Sequence, residues 1–164
     1  NTTMRELLAV QKNEKAIAAL ETKIVNCDQS IDASTVVYEQ MNDSINANFD
    51  LRKTADKAYW QKQKAISKRT TSKDRQVAKE ARAELKALST EYRAYAKTND
   101  AQFRSYLKTS DAASRNLYSA ETTRKLSQQK LKETRKNLGK AQKMLAAKEK
   151  LLAEQNGGEY LTKK

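Results

Sequence analysis

A chain of 164 residues with three glycines, no proline, two phenylalanines and one tryptophan lacks the turn formers of a sheet fold and the aromatic bulk of a large compact core. Hydrophobic residues make up 38% and charged residues 32%, a supply suited to narrow seams between helices, which need one or two apolar residues per turn. A net charge of +13 with no histidine removes the commonest general base and metal ligand and turns attention to anionic partners.

Residues 4–48 read as one long helix. Val10, Ile17, Ile24, Ile31, Tyr38 and Ile45 recur at sevens, and Leu20, Cys27 and Met41 form a companion row three residues after members of the first. Such a repeat puts both rows on one seam of slightly under-wound helices, the arrangement of a coiled coil. Ahead of Val10 the seam loosens to Met4, Leu7 and Leu8. Cys27 falls on the companion row and reads as a buried structural thiol; one cysteine allows no intramolecular disulfide and requires no oxidising compartment. Asn46, Asn48 and Asp50 then make a polar patch around Phe49, where Asp50 is a candidate cap for a new helix at Leu51.

From Leu51 the apolar spacing continues through Ala55, Tyr59 and Ile66, but between Gln61 and Gln76 only Ala65 and Ile66 are apolar. Within that stretch Arg69-Thr70-Thr71-Ser72-Lys73-Asp74 groups weak helix formers, and Ser72 or Asp74 is placed to begin the next helix. Periodicity resumes at Val77, Ala81, Leu85, Leu88, Tyr92 and Tyr95. Lys97-Thr98-Asn99-Asp100 is a second candidate break and Ser110-Asp111 a weaker third, with Phe103 and Tyr106 restarting the stripe between them.

The last segment carries a second strong repeat: Leu117, Leu131, Leu138, Leu145 and Leu152 at sevens, with Arg124 in the one gap. Beside it runs a row of small residues, Ala113, Ala120, Ser127, Thr134 and Ala141. One large and one small row let two helices approach closely, as in tightly packed antiparallel pairs. Gly139 reads as a tolerated flaw costing about 1 kcal/mol relative to Ala. Gly157-Gly158 is a candidate helix stop, leaving 157–164 as a tail.

These elements predict an all-α protein and leave two architectures. One is a long antiparallel coiled-coil hairpin, a single elongated domain over 1–156 with arms of about 4–69 and 74–156 and a tip at 70–73. The other is an elongated three-helix up-down-up bundle turning near 47–50 and 97–100. Equal helix lengths favour the bundle. The nearly seam-free stretch 61–76 favours the hairpin, because at a tip it needs no partner, whereas in the bundle it would occupy the middle of a packed helix.

Chemistry is sparse. A zinc site needs about four Cys or His ligands, and Cys27 stands alone; the glycines, Gly139, Gly157 and Gly158, form no phosphate-cradling loop. Glu80 and Glu84 lie one turn apart among Lys79, Arg82 and Lys86, where ion pairing is the expected role. The expectation is a protein that is not an enzyme and holds no cofactor, metal or small-molecule substrate.

The charge is uneven. Residues 1–50 carry four basic side chains against eight acidic ones, and residues 51–164 hold the other 29 basic and 12 acidic groups. An acidic helix laid against basic ones accounts for part of this; the excess positive surface points to an anionic partner. Lys62, Lys64, Lys68, Arg69, Lys73 and Arg75 form a basic run in which Asp74 is the one acid. It reads either as a solvated face or as a docking surface. Trp60 lies beside it, off the cleanest seam phase, and is the first candidate for a partner contact. Tyr59 and Trp60, and Tyr92, Tyr95 and Phe103, sit among lysines and arginines in a pattern that suits base stacking, but their helical spacing assigns most of them to seams.

Three functions compete. The first is a structural or assembly protein, a rigid helical element that meets protein partners, or further copies of itself, within a larger complex. The second is a nucleic-acid-associated helical protein. The third, a membrane-surface helix assembly, ranks last because the apolar residues are committed to seams, and no run of about eighteen apolar residues offers a transmembrane helix. An intracellular or virion-internal location is favoured over secretion. The chain opens on Asn1 with no signal-like apolar run, from which residues upstream, with or without an anchor, are expected. In length and helical character the chain resembles the short basic coiled-coil hairpins that serve as stalk components of bacterial flagellar and type III export ATPases. It is equally similar in composition to the helical internal virion proteins that tailed phages eject with their DNA. Neither resemblance carries a motif residue by residue, so neither assigns functional positions.

Overall fold

The structure, a computed structural model, describes the backbone of residues 3–162 and the side chains of residues 3–156. It consists of α1 (Met4–Arg69) and α2 (Arg75–Thr162), two long helices packed against each other as an all-α hairpin, with no strand among the described residues. The three-helix alternative is excluded, because Asn46–Asp50 lies inside α1 and Lys97–Asp100 inside α2. Asn and Asp disfavour helix by only a few tenths of a kcal/mol each, and here packing overrides them: Asn48 and Asn99 are buried. Neither Gly157 nor Gly158 stops the helix, which passes through both to Thr162; helix-ending glycines act by taking a left-handed conformation, and these two remain helical. Lys163 and Lys164, the end of the expected tail, lie outside the described residues.

The chain reverses at 70–74 without glycine and without any positive φ. Hydroxyls do the work. Thr70 Oγ1 donates to the Ser67 carbonyl at 2.6 Å and Thr71 Oγ1 to the Lys68 carbonyl at 3.2 Å, while the Ser72 amide reaches the Arg69 carbonyl at 3.2 Å. The last three carbonyls of α1, those of Ser67, Lys68 and Arg69, thereby find donors. Asp74 caps α2, its carboxylate accepting the Gln76 amide at 2.9 Å and its carbonyl the Ala78 amide at 3.0 Å. Ser72 Oγ in turn accepts the Asp74 amide at 3.2 Å. The weak helix formers of this stretch are good cappers because their side chains compete for backbone partners.

Two compact units divide the chain, Asn1–Ala33 with Asn116–Lys164, and Ser34–Arg115. In the first, Glu6 pairs with Lys148, Glu21 with Arg135 at 3.1 Å and Asp28 with Arg124 at 2.6 Å. Partner numbers fall in α2 as they rise in α1, which defines an antiparallel register. In the second, Arg52 pairs with Asp100 at 2.9 Å, Tyr92 with Asp56 and Arg69 with Glu84, in the same sense.

The heptad rows locate the buried side of each helix. On α1, Val10 and Cys27 are buried, and Ile17, Leu20, Ile24, Ile31, Met41 and Ile45 are half-buried. Tyr38 is 38% exposed; an aromatic with a polar tip on a two-helix seam leaves that tip in water. On α2 the small row is the deeper one: Ala113, Ala120, Ser127, Thr134 and Ala141 are all buried. Leu131 is buried, while Leu117, Leu138, Leu145 and Leu152 are half-buried. Small side chains occupy the line of closest approach, and the leucines straddle it with one flank outward, since two helices supply no third element to cover them.

Two polar residues on the packed side bond to their own helix. Thr134 Oγ1 donates to the Lys130 carbonyl of its own helix at 2.7 Å, and Asn13 Nδ2 to the Ala9 carbonyl at 2.9 Å. Arg124, in the gap of the leucine row, reaches Asp28 on α1, so this gap is an ion pair and not a missing leucine.

Candidate interaction surface near the turn

The basic run lies at the end of α1, in the turn and at the start of α2, all within Ser34–Arg115. Lys62, Lys64, Lys68, Arg69, Lys73 and Arg75 are exposed, and so is Trp60 at 62%. Ten basic groups against three acidic ones lie between Lys57 and Lys86. The two arms, which the sequence presents one after the other, thus contribute jointly to one basic end of this unit. Arg69 is the exception: its guanidinium pairs with Glu84 of α2. An acid fifteen residues downstream neutralises it, which the spacing of charges along the run did not reveal.

Behind Trp60 stands a polar and aromatic cluster that joins the two helices. Trp60 packs edge-on against Tyr59, with centroids 5.3 Å apart at 70°. Tyr59 stacks on Tyr92 of α2 at 4.2 Å and 23°. The Tyr92 hydroxyl donates to Asp56 Oδ1, and the same oxygen accepts Arg52 Nε at 3.1 Å. Arg52 Nη1 reaches Asp100 Oδ1 at 2.9 Å, Asn99 Oδ1 at 3.3 Å and the Ala96 carbonyl at 3.5 Å, and its guanidinium carbon lies 5.8 Å from the Tyr92 centroid. A charged group on a seam row is tolerated only with such a set of acceptors.

The protonation states follow. Arg52 is held further above its ordinary value, chiefly by its interaction with the Tyr92 hydroxyl and then by the Asp56 and Asp100 carboxylates. Tyr92 is pushed up because Asp56 accepts its proton and burial opposes the phenolate, with Arg52 working the other way. Both shifts favour the neutral phenol of Tyr92 and the cation of Arg52. The cluster is a clamp between the helices.

Beside it an open cleft of about 520 Å³ is lined by Asn48, Phe49, Arg52, Asp56, Asn99 and Phe103, among others. Phe49 is 66% exposed at its edge. Among the described residues no group of three His, Cys, Asp or Glu could hold a metal, and no helix is long and apolar enough to cross a membrane.

Of the large residues on the two heptad repeats, Tyr38, Met41 and Ile45 belong to this unit; Ile17, Leu20, Ile24, Ile31, Leu117, Leu131, Leu138, Leu145 and Leu152 belong to the other. The clamp residues Arg52, Asp56, Asn99 and Asp100 were not singled out. Arg52 was within reach, because it continues the sevens of Val10 through Ile45, with Tyr59 and Ile66 after it. Nothing in the sequence pairs Asp56 with Tyr92.

No family model, curated protein or solved structure matches the chain.

Proposed function

We propose that the protein is a non-enzymatic structural or assembly element, a helical hairpin that docks on an anionic partner through the basic end of the unit Ser34–Arg115. The observation that carries this reading is the division of labour along the chain. The buried apolar and small residues lie on the seam, and the part-buried Arg52–Asp56–Tyr92–Asp100 cluster is engaged in its own hydrogen bonds. Near the turn the exposed surface includes cations that enter no ion pair among the described residues: Lys62, Lys64, Lys68, Lys73 and Arg75. Clustered charge of this kind speeds and orients encounter.

The test uses heparin as a sulfated polyanion of no sequence. The parent protein should bind it with a steep salt dependence. Changing Lys62, Lys64 and Lys68 together to Glu should leave the thermal melt unchanged, since exposed charges contribute little to stability, and should weaken both the binding and its salt slope. Arg69 is spared because Glu84 already matches it. Equal retention of parent and triple variant would remove the basic end from consideration.

A further inference from the structure

One side of α1 in the unit Ser34–Arg115 alternates aromatic and basic groups. Phe49, Lys53, Lys57, Trp60 and Lys64 follow one another at intervals of four, four, three and four residues, which keeps them on one helical stripe. All five are exposed. Phe49 and Trp60 stand eleven residues apart, about 16 Å along the axis at 1.5 Å per residue, with two lysines between them and one beyond. Among the described residues none of the three lysines takes part in an ion pair. The one acid on the stripe, Asp56, is committed to Arg52 and Tyr92.

The indole of Trp60 packs edge-on against Tyr59, which stacks on Tyr92 of α2, while most of its surface faces water. An exposed aromatic plane between lysines one turn away on either side, Lys57 and Lys64, suits a ligand with flat apolar faces and a regular anionic backbone. A membrane surface needs a continuous apolar face, and here only two aromatic residues interrupt a row of cations. A duplex hides the faces of its bases in its own stack and would meet the lysines alone.

We propose that this stripe binds single-stranded nucleic acid, with Trp60 and Phe49 stacking on bases and Lys53, Lys57 and Lys64 lying against phosphates. The proposal rests on the reading of the basic end as a docking surface and names the class of its partner.

Trp60 is the one tryptophan, so its fluorescence reports on this site. Titrating the whole chain with a short oligothymidylate should quench it; heparin and a duplex of equal charge should bind with little quenching. Trp60→Ala should weaken oligothymidylate binding about five- to a hundredfold, the range set by stacking of one base, and leave heparin retention unchanged. Trp60→Phe should restore most of the loss. Replacing the three lysines by Gln should lower the salt slope by about 0.7 per lost phosphate contact. If heparin is retained but oligothymidylate neither quenches nor distinguishes Trp60→Ala from the parent, the nucleic-acid proposal is overturned and the docking surface stands. If heparin is not retained either, both fall. A blue-shifted Trp60 on phosphatidylserine vesicles, with no response to oligothymidylate, would overturn the proposal in favour of a lipid surface.

Discussion

In the unit formed by the two helix ends, the seam is aliphatic and small: Val10, Ile17, Ile24 and Leu131, Leu138, Leu145, with Ala120, Ser127, Thr134 and Ala141 on the line of closest approach. In the unit that contains the turn, the same period of seven brings polar groups inward: Asn48, Arg52, Asn99 and Ser110, with Tyr59 stacked on Tyr92. The aliphatic version supplies adhesion, roughly proportional to the apolar area covered. Each of its heptads resembles the next, so a slip by seven residues would still match apolar to apolar, although it would part Glu6 from Lys148, Glu21 from Arg135 and Asp28 from Arg124. The polar version supplies register. A slip there would strand Arg52 away from Asp56 and Asp100 and leave Asn48 and Asn99 in new surroundings, and an unpaired charge or amide inside a seam is costly. Cross-helix ion pairs mark the register in both units, and the turn-bearing unit adds a hydrogen-bonded cluster to them.

The comparison breaks most visibly at Leu131, 8% exposed in the aliphatic unit. Leu131→Ala should cost about 2–4 kcal/mol, the lower part of the range for buried leucines because a two-helix seam can partly close over the gap. Leu138→Ala, at a half-buried site, should cost less. Denaturant unfolding measures both, and equal losses would show that burial along the row does not set the energetics.

In the polar unit, Arg52→Met should cost about 1–2 kcal/mol, because Asp56, Asp100 and the Tyr92 hydroxyl lose a shared partner. Its more telling effect is on register. A spin label or cysteine pair placed near Asn48 and Phe103 should report a broadened distance distribution in Arg52→Met and an unchanged one in Leu131→Ala. If both substitutions broaden it alike, the assignment of register to the clamp fails.

A smaller change runs the other way. No atom lies within 4 Å of a Cβ added at Gly139, so Gly139→Ala should raise stability by about 0.5–1 kcal/mol, the difference in helix propensity. A loss on calorimetry would mean that the site is needed open by a partner.

The smallest effect concerns Glu6, 7% exposed and bonded to Lys148. The hydrogen bond from Lys148 holds its carboxyl below the ordinary value of 4.5. A depressed carboxyl favours the folded state above its unfolded value, and that contribution is lost as the pH falls through the folded value. Stability should therefore decline on acidification below about pH 4.5, and Glu6→Gln should flatten that limb without moving the plateau near neutrality.

How much of this was legible varies from residue to residue. The sevens of Val10 through Ile45 and of Leu117 through Leu152 specify helices and a seam, because a period between three and four residues has one geometric meaning for an L-chain. The turn was legible too, since the hydroxyls and carboxylate that cap it at Thr70, Thr71, Ser72 and Asp74 act on their own backbone neighbours. The candidate surface was legible as a row of cations beside Trp60, while the cluster behind it was not.

Local chemistry thus determined that the chain is helical, that it reverses near residue 70 and that one end of the turn-bearing unit is basic. Tertiary structure alone decided that Asn48 and Asn99 lie inside continuous helices, that Glu84 neutralises Arg69, and that Arg52, Asp56 and Tyr92 meet across the two helices beside Tyr59. The physical reason is the range of the interactions. Capping and periodicity act within a few residues of one helix. A hydrogen bond from Tyr92 to Asp56 spans thirty-six positions and exists only once the two helices have settled on a register, which no stretch of sequence can express by itself.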